Sequence, residues 1–469
     1  MRQVVRFFLM AAVIAALSQT AARADAVGDW NAIAVQATLN SCPVPTCVPA
    51  IPARPGPTGV IDIAIVQAAI YDAVQAIEKE YEPYYADIPG ANGSSVAATA
   101  KAAHDVLVSR FPWQADALDD IYDNYLLSKG ILPDNPGIVV GAIAAANIIA
   151  LRANDGSFPN PAPTPFNGGT DPGVWRPTPP ANASMLAPWL ATVTPFTMRS
   201  PSQFRANQPP PALKSPEYTR DYNEVKALGA DNSPRTFEQN ELANFWNSNY
   251  VVLWNSVLRN LANLHVDNIA DSARLFALAD MSMADSIITS WDSKLHFVFW
   301  RPITAIRLGH TDGNPNTIAA PAWNSLLTTP PYPDYTSGAN NISRAALRSF
   351  ALFFGTEEMT FQITTTNPGP TVQDTRTYNL FADAAEEVVD ARVYQGIHFR
   401  FADTAARKQG KQIAQWAFSH FFRPRSTEVI NGIQETREQN VKAWPTSKSS
   451  PDLRPCPVNT TFKPKQSQQ

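Results

Sequence analysis

Trp291-Asp-Ser-Lys-Leu-His-Phe-Val-Phe-Trp-Arg-Pro302 is the stretch on which the reading of this chain turns. It sets a lysine, Lys294, and an arginine, Arg301, seven residues apart in largely apolar, aromatic sequence. Cations are costly to bury unless an opposite charge or hydrogen bonds compensate them. Seven residues are almost two helical turns, so a single helix would project both cations from one face. Trp291 would wall that face, and Pro302 would terminate or kink the helix where Arg301 sits. Taken alone, such a pair equally describes two long side chains snorkelling from a packed helix.

Two further segments give the pair a meaning. Pro333-Asp-Tyr-Thr-Ser-Gly-Ala-Asn340 is a turn leading into a helical pattern that begins near Asn340. Glycine at a helix N-terminus offers free backbone N–H groups and the positive end of the dipole to an anion, and Ser337 adds a hydroxyl. A plain N-cap is the simpler alternative for this turn. Further on, Ala391-Arg-Val-Tyr-Gln-Gly-Ile-His398 carries Arg392 and His398. Six residues on an unbroken helix would leave these two about 120° apart. Gly396 offers the break that would bring His398 back toward Arg392. Histidine can ligate a metal-like centre or act as a nucleophile. An oxoanion among these groups would compensate every cation at once.

Around this constellation the composition is ordinary. Of 469 residues, 45% are hydrophobic and 17% charged, which suits a globular chain with ample material for a core. The net charge of −4, without a basic tract, gives nucleic-acid binding little support. Arg2 and Arg6, the apolar run Phe7 to Leu17 and the small residues around Ala22 to Ala26 resemble an export signal over 1–24. The expected mature chain starts near Asp25 or Val27 and is periplasmic or secreted, with no later segment expected to reach the length of a transmembrane helix. An uncleaved N-terminal anchor is the alternative. In an oxidising compartment Cys42 could pair with Cys47, and either could pair with Cys456.

Apolar residues recur at helical spacing from Val66 to Tyr81 and through about 96–110, 115–129, 138–152, 267–300, 340–354, 376–395 and 402–421. Thr236 and Gln239 form a plausible capping box. No hairpin pattern stands out. Between Phe158 and Pro216 lie 15 of the 41 prolines, together with Trp175, Trp189 and Phe196. That aromatic content favours an ordered segment wrapped over the helices rather than a disordered linker. The expectation is an all-α chain of two packed helical bundles joined by an extended proline-rich connector. Its parts are an N-terminal helical half at 25–157, the connector at 158–235, a C-terminal helical domain at 236–425 and a tail at 426–469.

Lys-x6-Arg-Pro, a Ser-Gly turn and Arg-x5-His together resemble the signature of the vanadium-dependent haloperoxidases and the related type 2 phosphatidic acid phosphatases. Tyr71-Asp-Ala-Val, Pro172-Gly-Val-Trp-Arg-Pro-Thr-Pro-Pro180, Trp300-Arg-Pro-Ile-Thr-Ala-Ile-Arg307 and Pro330-Pro-Tyr-Pro resemble the bacterial haloperoxidase-like branch. The resemblance implies a helical-bundle pair with the pocket in the C-terminal half. It implies that Lys294, Arg301 and Arg392 hold the equatorial oxygens of vanadate, or of phosphate as the alternative occupant. Ser337 and the Gly338 N–H would complete the cradle. His398 would be the axial ligand of vanadium, or the nucleophile toward phosphorus. Hydrogen peroxide, halide and a small organic acceptor are the implied partners, and a homo-oligomer is compatible with it.

Two departures stand out. The family turn is Pro-Ser-Gly-His, and here Thr336-Ser337-Gly338-Ala339 lacks the acid–base histidine, whose loss typically costs about 10²–10⁴ in rate. His296 or His310 could substitute only through space. The phosphatases carry an aspartate four residues after the last histidine; here that position is Ala402, and Asp403 follows. The expected function is a haloperoxidase-like oxidoreductase with altered proton handling. The alternatives are a phosphomonoesterase using His398, or a non-catalytic oxoanion-binding protein.

Overall fold

Lys294 and Arg301 do not share a helix. In the computed structural model, which describes residues 26–367 and 374–425, the helix bearing Lys294 ends at Phe297 and is closed by Val298 in a left-handed conformation (φ 47°). Residues 298–301 are extended, and Pro302 starts a new short helix instead of ending the old one. Proline suits a first helical position because its missing N–H would have no partner there anyway. The two cations therefore meet through a bend, not through helical periodicity.

Thirteen α-helices make up most of the described chain. In order they are α1 Ala26–Leu39, α2 Gly59–Glu78, α3 Ser95–Arg110, α4 Ala115–Ser128, α5 Pro136–Arg152, α6 Pro216–Leu228, α7 Phe237–Phe245, α8 Tyr250–His265, α9 Ile269–Phe297, α10 Pro302–Arg307, α11 Gly338–Phe354, α12 Phe381–Tyr394 and α13 Arg400–His420. The Thr236 and Gln239 capping box is formed at α7. The helical fold has one exception. Glu358–Thr364 (β1) and Thr375–Leu380 (β2) pair antiparallel, so the helix expected from about 376 starts only at Phe381.

α9 is the axis of the fold. Its 29 residues are buried almost continuously from Ala270 to Lys294 because other helices cover it all round. It packs on α2 from the N-terminal half and on α11 and α13 from the C-terminal half. α2 is 20 residues long and apolar enough to cross a membrane, contrary to expectation. All but its last turn is buried inside the protein, which identifies it as a core helix.

Residues between α5 and α6 lie along α9. Asp285 accepts the backbone N–H groups of Phe196 and Thr197 at 2.7 and 2.8 Å. Two helical turns on, Asp292 accepts a two-pronged bond from Arg205 at 2.6 and 2.7 Å. Trp175, fully buried, donates its N–H to Val298 O, and Trp300 donates to Gly173 O. The proline-rich stretch thus clamps the bend between Lys294 and Arg301. Cys42 and Cys47 are bonded to each other. Residues 1–24, the tail at 426–469 and Cys456 lie outside the described residues.

Candidate functional site

Three separate segments meet below the C-terminal end of α9. Lys294 is wholly buried, and its ammonium donates to the carbonyls of Pro333 at 2.7 Å and Asp334 at 3.1 Å. Its Nζ also lies 4.9 Å from the centre of the Tyr332 ring and 5.7 Å from that of Trp291. Arg301, equally buried, donates Nε–H to Tyr332 O at 2.7 Å and Nη1–H to Ile397 O at 2.6 Å. Both cations are thus held by backbone carbonyls. Burial pushes the lysine pKa well down, and the charge of Arg301 adds to that effect.

The turn between them is fixed by a polar hub. Gln409 of α13 accepts from Thr336 Oγ1 at 2.6 Å and from Asn341 Nδ2 at 2.9 Å, and donates to Ser293 Oγ at 3.0 Å. Ser337 then occupies the N-cap of α11 without making a side-chain cap bond. Gly338 begins that helix, so its N–H has no intrahelical acceptor. A Cβ on Gly338 would approach Trp291 Cζ3 to 3.2 Å, so the turn fits closely over the α9 tryptophan.

Arg392 sits in the last turn of α12, where Nη1 donates to Gln395 Oε1 at 2.6 Å. The chain then reverses. Gly396 has φ +77°, and a Cβ there would lie 2.1 Å from Gly229 O, so only glycine fits this turn. That reversal delivers His398 beside Arg301, whose Nη1 lies 3.1 Å from Nε2. His398 Nδ1 is 2.8 Å from Asp334 Oδ1, which itself lies 3.6 Å from Arg301 Nη1. Burial drives the imidazole pKa well below its usual value, and Arg301, Lys294 and Arg392 reinforce this. His398 is therefore neutral, with Nδ1 as the natural proton-bearing atom and a lone pair left on Nε2. Burial raises Asp334 to about 7, against the opposing pull of Arg301 and Lys294.

Above these groups opens a cavity of about 450 Å³. Arg392, Gly338, Ala339, Ile397, Trp291 and Tyr332 line its deep part. Two guanidinium nitrogens, Arg301 Nη2 and Arg392 Nε, are buried without a hydrogen-bond partner. Buried charged donors left unpaired are expensive, and an anion with several oxygens would satisfy both.

The sequence of residues 274–427 matches the family model of the VCPO second helical-bundle domain. The vanadium chloroperoxidase of Curvularia inaequalis is 45% identical over 87 residues, a stretch covering 17% of this chain and 14% of that protein. A bacterial vanadium-dependent iodoperoxidase shares the fold with a TM-score of 0.69 and 23% identity, over 86% of this chain and 97% of its own. A holo-type bacterial vanadium-dependent chloroperoxidase aligns with a TM-score of 0.63 and 19% identity, over 77% of this chain and 90% of its own. Residues 274–427 thus match a VCPO second helical-bundle domain, and the chain shares its fold with the vanadium haloperoxidases.

Within that fold, all six residues singled out in the sequence (Lys294, Arg301, Ser337, Gly338, Arg392 and His398) fall in one neighbourhood. Neither suggested stand-in for the acid–base histidine does. His296 is exposed beside Arg205, and His310 lies on an exposed 3₁₀ turn. Two participants escaped the sequence reading. Asp334, not Asp403, is the carboxylate at His398 Nδ1. Tyr332 packs its ring against both Lys294 and Arg301. Both lie in Pro330-Pro-Tyr-Pro-Asp334, whose proline density flagged a turn without showing which side chains it turns inward.

Proposed function

We propose that this protein is an exported, vanadate-dependent haloperoxidase that oxidises halide with hydrogen peroxide and lacks the usual acid–base histidine. The observation that carries the reading is the pair of buried, unpartnered guanidinium nitrogens, Arg301 Nη2 and Arg392 Nε, around a neutral His398. That donor set suits a tetrahedral or trigonal oxoanion. Lys294, Arg301, Arg392, Ser337 and the Gly338 N–H would hold its oxygens, and His398 Nε2 would supply a nitrogen ligand. Vanadate held there would supply the activation of peroxide for oxygen transfer to halide.

The protein's own contribution is electrostatic and positional. Three preorganised cations stabilise negative charge where water is excluded, as an oxyanion hole does. Asp334, whose Oδ1 stands 2.8 Å from Nδ1, would hold the imidazole in place for an anion at Nε2. Ala339 supplies no proton, and we expect turnover to depend on another acid. A phosphomonoesterase reading draws on one specific observation, the Asp334 carboxylate behind His398, which would equally prepare a nucleophile. Ala339 counts against it for poor leaving groups, which need protonation.

The deciding experiment measures bromide oxidation by the mature protein with peroxide, before and after loading with orthovanadate. Turnover that appears only on loading supports the proposal. Its absence in protein shown by metal analysis to be loaded rejects it, and release of inorganic phosphate from an activated aryl phosphate would then favour the esterase.

A further inference from the structure

Asp403 is fully buried in the first turn of α13, and no basic side chain forms an ion pair with it among the described residues. Its Oδ1 accepts a bond from Asn340 Nδ2 at 2.8 Å, and the Ser337 side chain hydrogen-bonds to the same carboxyl. The same Asn340 nitrogen lies 3.4 Å from Ser337 Oγ, so one amide group ties the carboxyl to the hydroxyl of the anion cradle. Asn340 itself directly follows Ala339, the position where the family's acid is missing. A buried carboxyl with only neutral donors and no ion-pair partner is more stable protonated.

We propose that Asp403 is a neutral carboxylic acid that supplies a proton through Ser337 to an oxygen bound in the cradle, doing from behind the turn what Ala339 cannot do from its face. This rests on the oxoanion reading of the site. In the relay the Asp403 O–H bond breaks and its proton passes to Ser337 Oγ. The Ser337 hydroxyl proton moves on to the anion oxygen. One proton is transferred, no electrons move, and the carboxylate left on Asp403 regains a proton from the hydrogen peroxide that next enters the cradle, carried back through Ser337. Asp403 is therefore a positioning and proton-storing residue, and Ser337 is the group that touches the anion.

The surroundings agree with a stored proton. Burial is the largest influence and raises the Asp403 pKa well above the carboxylate range, with Asp334 adding to it. Ser337, Arg392 of α12 and Arg400 of α13 pull the other way without reversing the direction. Lys294 of α9, Arg301 and Tyr250 of α8 complete the ionisable groups that feel this carboxyl.

The test compares wild type with Asp403→Asn, which keeps the shape and the acceptor for Asn340 but cannot release a proton. Infrared difference spectra at pH 7 are expected to show a carboxylic-acid carbonyl band in wild type that Asp403→Asn lacks. That band should shift when inorganic phosphate binds, because the hydrogen-bonded chain is continuous. The variant should bind phosphate within about threefold of wild type, while vanadate-loaded bromide oxidation falls about 10²–10⁴-fold. Adding Ala339→His to Asp403→Asn should restore most of the rate. An ionised carboxylate signal at pH 7, or an acid band indifferent to phosphate, overturns the relay even if no bromide is oxidised by any form. Failure of the peroxidase reading alone would leave the infrared result intact, so the two failures are distinguishable.

Discussion

His398 and Ala339 carry opposite predictions. His398→Ala removes the only imidazole in the cradle and should reduce vanadate-dependent bromide oxidation to background; turnover equal to wild type would place the site elsewhere. Ala339→His puts an acid at the cavity face beside Gly338 and should raise the rate by about tenfold or more, read from kcat at fixed vanadate loading. Away from the site, Asp280 of α9 makes a third case. It is fully buried near Asn31, its Oδ1 has no partner, and burial raises its pKa to about 8 despite Asn255 and Arg259. A carboxyl whose folded pKa is raised is favourable below its unfolded value near 4 and loses that advantage as pH rises through 8. Asp280→Asn does not ionise, so its stability relative to wild type should climb between pH 4 and 8 by on the order of 1.4 kcal/mol per unit at most. Thermal melts of both proteins at pH 5 and pH 8 measure this, and a gap that fails to widen refutes it. Residue identities disclosed the cations and the histidine of the site because buried charge is rare and needs a reason. They could not disclose Asp334 or Asp403, since an aspartate reads the same whether it faces solvent or a buried imidazole.

At the scale of the element, helices were legible wherever apolar periodicity was long, as in α3, α5, α9 and α13. The errors sit at junctions. Pro302 fits a helix end and a helix start equally well, and only the left-handed Val298 shows that α9 has already stopped. β1 and β2 are not legible because Glu358–Thr364 and Thr375–Leu380 are short and largely exposed. The break at Gly396 was legible because six residues of helix could not bring Arg392 and His398 together. Its geometry makes a sharp prediction. With φ +77° and Gly229 O only 2.1 Å from where a Cβ would stand, Gly396→Ala must move the backbone that carries His398. A loss of roughly 1–3 kcal/mol in unfolding free energy is expected from the strained conformation alone. Phosphate affinity should fall with it. A variant with wild-type stability and affinity would show that the turn does not position the histidine.

Across the whole molecule, the site is an electrostatic meeting point of segments about a hundred residues apart, held together by α9, the Gln409 hub and the proline-rich clamp. Sequence disclosed that these segments carry matching chemistry. It did not disclose what brings them together, because Asp285 accepts backbone N–H groups that any residue could supply, and Asp292 and Gln409 find side-chain partners far away in sequence. Once assembled, the cations oppose one another: Arg301 lowers the Lys294 pKa, and Arg301, Lys294 and Arg392 all lower that of His398. A bound oxoanion relieves this repulsion in the folded state only, so it must stabilise the fold by linkage. At a hundredfold excess over Kd the gain is about 2.7 kcal/mol. Phosphate or orthovanadate should therefore raise the melting temperature in a saturable way, whereas chloride at equal ionic strength should not. Arg301 is a poor variant for this test because it also braces Tyr332 and Ile397 through their carbonyls. Arg392 lines the cavity and spends one nitrogen on Gln395, so Arg392→Ala should leave most of the fold intact while abolishing most of the anion-dependent shift. An unchanged shift in that variant would mean that the anion stabilises the protein from some other site.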